Sequence, residues 1–132
     1  MLKKTNPKHA DVPEILRNYL NYMLVIKGRS ETTVKEYYYD LRTFFRYILA
    51  ISNDLDILNL DKINLDNFND EILKDVSLND MYEFIAYINN FKSTNPNYKA
   101  RKVASIRSFY KYLSVTINFM ENNPALNLDT KM

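Results

Sequence analysis

Apolar residues recur at helical spacing along most of the chain and predict four main helices. The clearest pattern is in residues 97–113, where Val103, Ile106, Tyr110 and Leu113 follow one another at steps of three, four and three. This spacing places the four side chains on one face of a helix, where neighbouring helices can bury them. We therefore expect this helix to be central to the fold.

Start and stop signals give the bounds of the first two helices. The first is predicted to begin near Asp11, because Asp11 and Glu14 have capping-box spacing, and to end at Gly28, since glycine favours a left-handed C-terminal position. Ser30 is a favourable N-cap for the second helix. That helix is expected to run to about Ile51.

The region 52–76 is acidic and rich in Asn and Asp, and its spaced leucines and isoleucines indicate an anchored connection with short helical turns. A third helix is predicted to follow, with Ser77 as its N-cap and Asp80 three residues later. After the fourth helix we expect a short helix through Phe119 and Met120, before a break at Asn123-Pro124.

Composition narrows the class of protein. With 132 residues the chain is the size of one domain, and its single glycine and four prolines favour an all-α fold. It has no cysteine and one histidine, His9, so we expect no thiol nucleophile, no metal site and no cofactor. No apolar run is long enough to cross a membrane and no signal peptide is recognisable. We expect a soluble, cytoplasmic protein.

Charge is unevenly distributed along the chain. Residues 1–51 carry nine basic and five acidic side chains, residues 52–91 carry two and nine, and residues 92–132 carry seven and two. If the two basic ends fold together, they form one positive face and leave the acidic segment elsewhere. No acidic residue lies between Glu83 and Glu121, so the basic fourth helix has no counter-ion on its own segment. An external anion such as a phosphate backbone is therefore the expected partner.

A second basic stripe lies on the predicted second helix. Its residues recur at helical spacing: Lys35, Tyr39, Arg42 and Arg46. The start of the helix is flanked by Lys27 and Arg29 and carries Thr32 and Thr33, and such a helix N-terminus can bind phosphate. Asp40 is expected to cap or brace a neighbouring helix, Tyr37 to lie in the core, and Tyr39 to be exposed.

Two spaced patterns resemble a known family. The first pattern is formed by Ser30, Thr33, Tyr37, Asp40, Leu41 and Phe44, and the second by Arg101, Ile106, Arg107, Phe109 and Tyr110, followed by Asn123-Pro124. In this order and at this separation they resemble the N-terminal core-binding, SAM-like domain of tyrosine recombinases of the phage-integrase and Xer type. The resemblance covers about residues 12 to 131.

The resemblance implies a compact bundle of four to five helices whose second and fourth helices approach the DNA major groove. The residues that it and the basic stripes assign to DNA are Lys27, Arg29, Ser30, Thr32, Thr33, Lys35, Arg42, Lys99, Arg101, Lys102, Ser105 and Arg107. The implied organisation is a flexible arm at 1–10, the helical domain at 11–122, and a linker at 123–132 towards a C-terminal catalytic domain that this chain does not contain.

The function expected from this resemblance is DNA binding, and the chain is not an enzyme by itself. The domain would clamp duplex DNA beside the crossover site during integration or recombination. Its other partners would be its own catalytic domain and further recombinase protomers, in a tetramer on DNA. We expect the isolated domain to be monomeric and to make no membrane contact.

Two other functions are compatible with the sequence. A helical protein-interaction module would use the acidic helix around Asp80 and Glu83, or exposed aromatics such as Tyr82 and Tyr87. A helix-turn-helix regulator would use the turn at 28–30, although the helix that follows, at about twenty residues, is longer than recognition helices tend to be.

Overall fold

The computed structural model describes residues 8–129, and all regular secondary structure within this range is helical, which confirms the all-α prediction. The α-helices are α1 (Glu14–Val25), α2 (Glu31–Ser52), α3 (Ile72–Asp75), α4 (Leu78–Phe91) and α5 (Pro96–Lys111). A 3-10 helix (Ile57–Lys62) follows α2, and a π-helical turn (Tyr112–Thr116) extends α5. The region 52–76 therefore contains the short helical turns that its sequence predicts.

The predicted capping signals are confirmed at α2 and α4. The hydroxyl of Ser30 accepts a hydrogen bond from the Thr33 amide at 3.1 Å. Ser77 and Asp80 form a reciprocal capping box, with distances of 3.1 and 2.9 Å. Gly28 lies between α1 and α2 with φ of 65°, a left-handed conformation that glycine adopts at little cost.

Helix α2 is the centre of the bundle, and α1, α3, α5 and the 3-10 helix all pack against it. The core is rich in aromatic rings that are almost completely buried: Tyr19, Phe44, Phe45, Phe84, Phe109 and Tyr110. Several of these rings meet edge to face; Phe44 and Phe84, for example, have centroids 5.2 Å apart and an interplanar angle of 73°. The four apolar residues predicted to face the core from the fourth helix are all buried, and the last of them, Leu113, lies in the π-helical turn.

Two local predictions are wrong. Helix α1 begins at Glu14 after Pro13 and has no side-chain cap, because the Asp11 carboxylate bonds to Tyr38 and Arg42 instead. The short helix expected through Phe119 does not form. The chain leaves the π-helical turn through Asn118, whose φ of 51° is incompatible with a continuing right-handed helix.

The two ends of the described chain pack on the bundle. The ring of His9 lies 4.0 Å from that of Tyr38, while most of the predicted arm, residues 1–7, lies outside the described residues. At the other end, Ala125 and Leu128 are buried in the core, so this part of the predicted linker is packed against the helices. The last three residues, 130–132, also lie outside the described range.

Candidate nucleic-acid interface

An open cleft of about 880 Å³ separates the α1–α2 turn from α5. Lys27 and Arg29 line it on one side, and Arg107 and Lys111 line it on the other. All four side chains are exposed. The fold thus brings together basic residues that are about eighty positions apart in the sequence, and it does so on one concave surface.

The walls of the cleft are held together by buried contacts beneath it. The Tyr19 hydroxyl on α1 lies 2.6 Å from Ser108 Oγ on α5 and donates a hydrogen bond to it. The Tyr19 ring also packs edge to face against Tyr112, with centroids 5.2 Å apart. The left-handed turn at Gly28 directs the chain back over α1, where the Arg29 amide donates to the Met23 carbonyl at 3.0 Å.

The basic residues of the cleft are available for an external anion. Within residues 8–129, no hydrogen bond or ion pair is formed by the side chains of Lys27, Arg29, Arg107 or Lys111. Among the described residues that line the cleft, Glu121 is the one acidic residue, and it makes no ion pair with the four basic side chains. Unpaired cations that converge on a concave surface favour a polyanion such as a phosphate backbone.

The remaining predicted contacts, at the start of α2, do not line this cleft. Ser30 and Thr33 bond to each other through their hydroxyls at 3.0 Å, at the N-terminus of the helix. Thr32 and Lys35 face a second hollow, on which Lys8 of the preceding segment also lies. The predicted contacts at the start of α2 therefore lie outside the cleft, and Thr32 and Lys35 line a different hollow.

The lack of acidic residues on the segment of α5 does not leave Arg101 and Lys102 unpaired, because α2 supplies their counter-ions. The Arg101 guanidinium bonds to Asp40 through Nε and Nη2, each at 3.0 Å, and through Nη1 to Glu36 at 3.1 Å. Lys102 Nζ bonds to the same Asp40 carboxylate and lies 3.8 Å from the centroid of the Tyr98 ring. The hydrogen bonds to Asp40 raise the pKa of the Arg101 guanidinium. Asp40 thus braces α5, as predicted.

Two predicted DNA contacts are removed from the surface by this packing. Lys102 is 2% exposed and its ammonium group is already paired with Asp40. Ser105 is fully buried, and its hydroxyl donates to the Lys102 carbonyl at 2.9 Å. The family resemblance and the basic character of α5 assign both residues to DNA. The contact with α2 extends over this side of the helix, however, and buries them.

The arginines of the predicted second basic stripe are also used within the domain. Arg42 bonds to the Asp11 carboxylate at 2.9 Å and to the Tyr38 hydroxyl at 3.0 Å, and its guanidinium lies over the exposed ring of Tyr39. Arg46 Nε donates to the Ile63 carbonyl at 3.2 Å. These partners come from segments remote in sequence, so helical spacing alone could not indicate them.

Comparison with known proteins identifies the fold family. The model of the phage integrase N-terminal SAM-like domain matches residues 16–79. This helical domain belongs to that family. A tyrosine recombinase XerC from Caldanaerobacter subterraneus subsp. tengcongensis is 37% identical over 97 residues. The alignment covers 70% of this chain and 27% of the relative, so the chain spans about a quarter of the curated protein that it matches. No solved structure gives a significant match.

The structure of the SAM-like domain also bears on the other predicted surfaces. Tyr87 is 4% exposed and therefore cannot serve as an exposed aromatic for a protein partner. Tyr82 is half-buried, and its hydroxyl donates to the Asn127 carbonyl at 3.3 Å. Helix α2 has 22 residues and is central to the core, so it does not have the form of a short recognition helix after a turn.

One basic residue that lines the cleft, Lys111, is missing from the predicted contact set. Lys111 lies ten positions after Arg101, and this spacing places both on the same face of α5, together with Ala104 and Ser108. The periodicity was therefore a sufficient signal for Lys111. Lys99, which was predicted, is half-buried at the beginning of the helix.

Within residues 8–129, no cluster of three or more histidine, aspartate or glutamate side chains has an arrangement suited to a metal ion. None of the helices in the same range combines the length and the apolar character that a membrane span requires.

Proposed function

We propose that the SAM-like domain binds duplex DNA as the core-binding domain of a site-specific tyrosine recombinase and clamps the duplex beside the crossover site. The observation that carries this proposal is the cleft, where four basic side chains from two separate segments are exposed without acidic partners among the described residues. Similarity to a tyrosine recombinase XerC supports the same conclusion.

The composition of the cleft favours contact with phosphates over reading of bases. Four of the five charged residues that line it are lysine or arginine, and such side chains neutralise phosphates and release counterions from the duplex. If each of the four basic residues neutralises one phosphate, the logarithm of the binding constant falls with the logarithm of the salt concentration with a slope of about −4. Sequence preference should accordingly be weak for the isolated domain.

In this proposal the domain positions DNA and does not cleave it. Strand cleavage would be carried out by the catalytic domain of the recombinase, and a tetramer of protomers would assemble on the DNA. The isolated SAM-like domain would be monomeric. Two of the tyrosines that line the cleft, Tyr19 and Tyr112, are buried and in ring contact with each other, which fits a structural role.

A titration of the protein with a mixed-sequence duplex, followed by fluorescence anisotropy at several salt concentrations, tests the proposal. The variant Arg29→Gln/Arg107→Gln removes one charge from each wall of the cleft. The control Lys62→Gln/Lys92→Gln removes two charges from exposed positions that do not line it. Both variants have the same net charge, so a difference between them reports the location of the binding surface.

We expect steep salt dependence for the parent, a slope reduced by about two for the cleft variant, and a slope close to that of the parent for the control. Absence of binding at low salt would contradict DNA binding by this domain. Equal losses in the two variants would show that the cleft is not the contact surface.

A further inference from the structure

Arg101 lies on the stripe of α5 that continues into the cleft. Ala104, Ser108 and Lys111 line the cleft, and Arg101 precedes them at the spacing of one helix face. Its side chain is 33% exposed, in contrast to the buried Lys102 beside it. Arg101 is therefore placed to reach a duplex that occupies the cleft, although it is paired in the free domain.

The two acidic partners of Arg101 differ in burial. Asp40 is fully buried and is held in addition by Lys102, so it retains a cation whatever Arg101 does. Glu36 has a side chain that is 43% exposed, and its ion pair within the described residues is with Arg101 Nη1 at 3.1 Å. The guanidinium thus has an inner edge on a buried carboxylate and an outer edge on an exposed one.

We propose that Glu36 occupies the phosphate-binding edge of Arg101 in the free domain and is displaced from it by a DNA phosphodiester. This inference rests on the DNA-binding function proposed above and adds a built-in competitor to it. Asp40 keeps the Nε–Nη2 edge fixed, so the guanidinium remains oriented while its outer edge exchanges one anion for another. Arginine suits such an exchange because its planar group offers two separate edges of donors.

The exchange predicts the direction of a change in affinity: removing the Glu36 carboxylate should strengthen binding to DNA. An exposed ion pair of this kind is weak, and its removal corresponds to an affinity increase of about two- to fivefold for Glu36→Gln. Glu31→Gln is the matched control, since it removes an exposed carboxylate of α2 that forms no ion pair with Arg101. It therefore measures the effect of removing one negative charge from α2 without loss of an ion pair to Arg101.

The experiment measures duplex binding by anisotropy for the parent, Glu36→Gln, Glu31→Gln, Arg101→Gln and the double variant Glu36→Gln/Arg101→Gln. We expect Glu36→Gln to exceed Glu31→Gln in affinity, and we expect this excess to vanish when Arg101 is absent. Arg101→Gln alone should also lower the salt slope by about one. Thermal unfolding of each variant verifies that it is folded, and Arg101→Lys replaces Arg101→Gln if the latter is not.

The outcomes show whether the exchange alone fails or whether DNA binding fails as well. Binding by the parent with equal effects of the two glutamate variants overturns the exchange and leaves DNA binding intact. An excess for Glu36→Gln that persists without Arg101 overturns it as well. Failure of the parent to bind duplex at low salt overturns both.

Discussion

The buried carboxylate of Asp40 should be the most sensitive charged position in the domain. Asp40→Asn leaves the shape of the side chain nearly unchanged but removes the negative charge that faces Lys102 and Arg101. Arg101 is partly exposed and still has Glu36, whereas the Lys102 ammonium is almost fully buried and loses its counter-ion. Breaking a buried pair in this way costs about 3–5 kcal/mol, because an uncompensated charge remains in the interior.

This cost is large against the whole stability of a domain. Total free energies of unfolding are about 5–15 kcal/mol, so the variant should keep only part of its stability at room temperature. Urea unfolding of the variant can be followed by the far-UV circular dichroism of the helices. We expect a clearly lower midpoint and an unchanged slope of the unfolding free energy against urea concentration. Asp66→Asn, which changes an exposed acid, should remain within about 0.5 kcal/mol of the parent.

Two results decide whether this reasoning is correct. If Asp40→Asn lowers the free energy of unfolding by less than about 1 kcal/mol, the Lys102 ammonium reaches water without its partner, contrary to its burial in the structure. The double variant Asp40→Leu/Lys102→Met provides the second test. It removes both charges and should be more stable than Asp40→Asn, because apolar groups of similar volume replace a buried ion pair at little net cost.

Three further predictions concern stability. Ser77→Ala removes the hydroxyl of the α4 capping box and should lower the urea-derived free energy of unfolding by about 1 kcal/mol. Tyr110→Phe removes the hydroxyl that donates to the Leu73 carbonyl at 2.8 Å and should cost about 1–2 kcal/mol, whereas the exposed Tyr39→Phe should be neutral. Burial raises the pKa of Tyr19 and Tyr110 above the ordinary value of about 10. As the pH rises above about 10, these tyrosines ionise in the unfolded chain before they ionise in the folded one, so stability should be retained below this pH and fall above it. A urea midpoint that stays constant as the pH rises above about 10 would contradict this prediction.

Local sequence signals were sufficient for most of the helices. The caps at Ser30 and Ser77 and the left-handed Gly28 depend on residues within one helical turn, so short-range chemistry determines them. The apolar stripe of α5 is similarly local, because burial of one helix face requires a period near 3.6. The start of α1 was misplaced because Asp11, which could have served as a cap, has partners on α2 instead.

The sequence could predict only part of the candidate surface. Lys27, Arg29 and Arg107 were assigned to DNA, and the structure brings them into one cleft together with Lys111. Polar residue type is a poor guide to exposure on a helix with two packed faces, and Lys102 illustrates this directly. Its charge suggested a contact with DNA, but its partner is a carboxylate 62 positions earlier in the chain.

The sequence by itself therefore determined the all-α class, the main helices, their caps and the basic character of both chain ends. These properties follow from local periodicity, capping chemistry and composition, which act within a few residues. Only the tertiary structure decided which basic residues remain unpaired. That outcome depends on the packing of α2 against α5, which buries Asp40 with Lys102, holds Arg101 at the surface and leaves the cleft cations free within the described part of the chain.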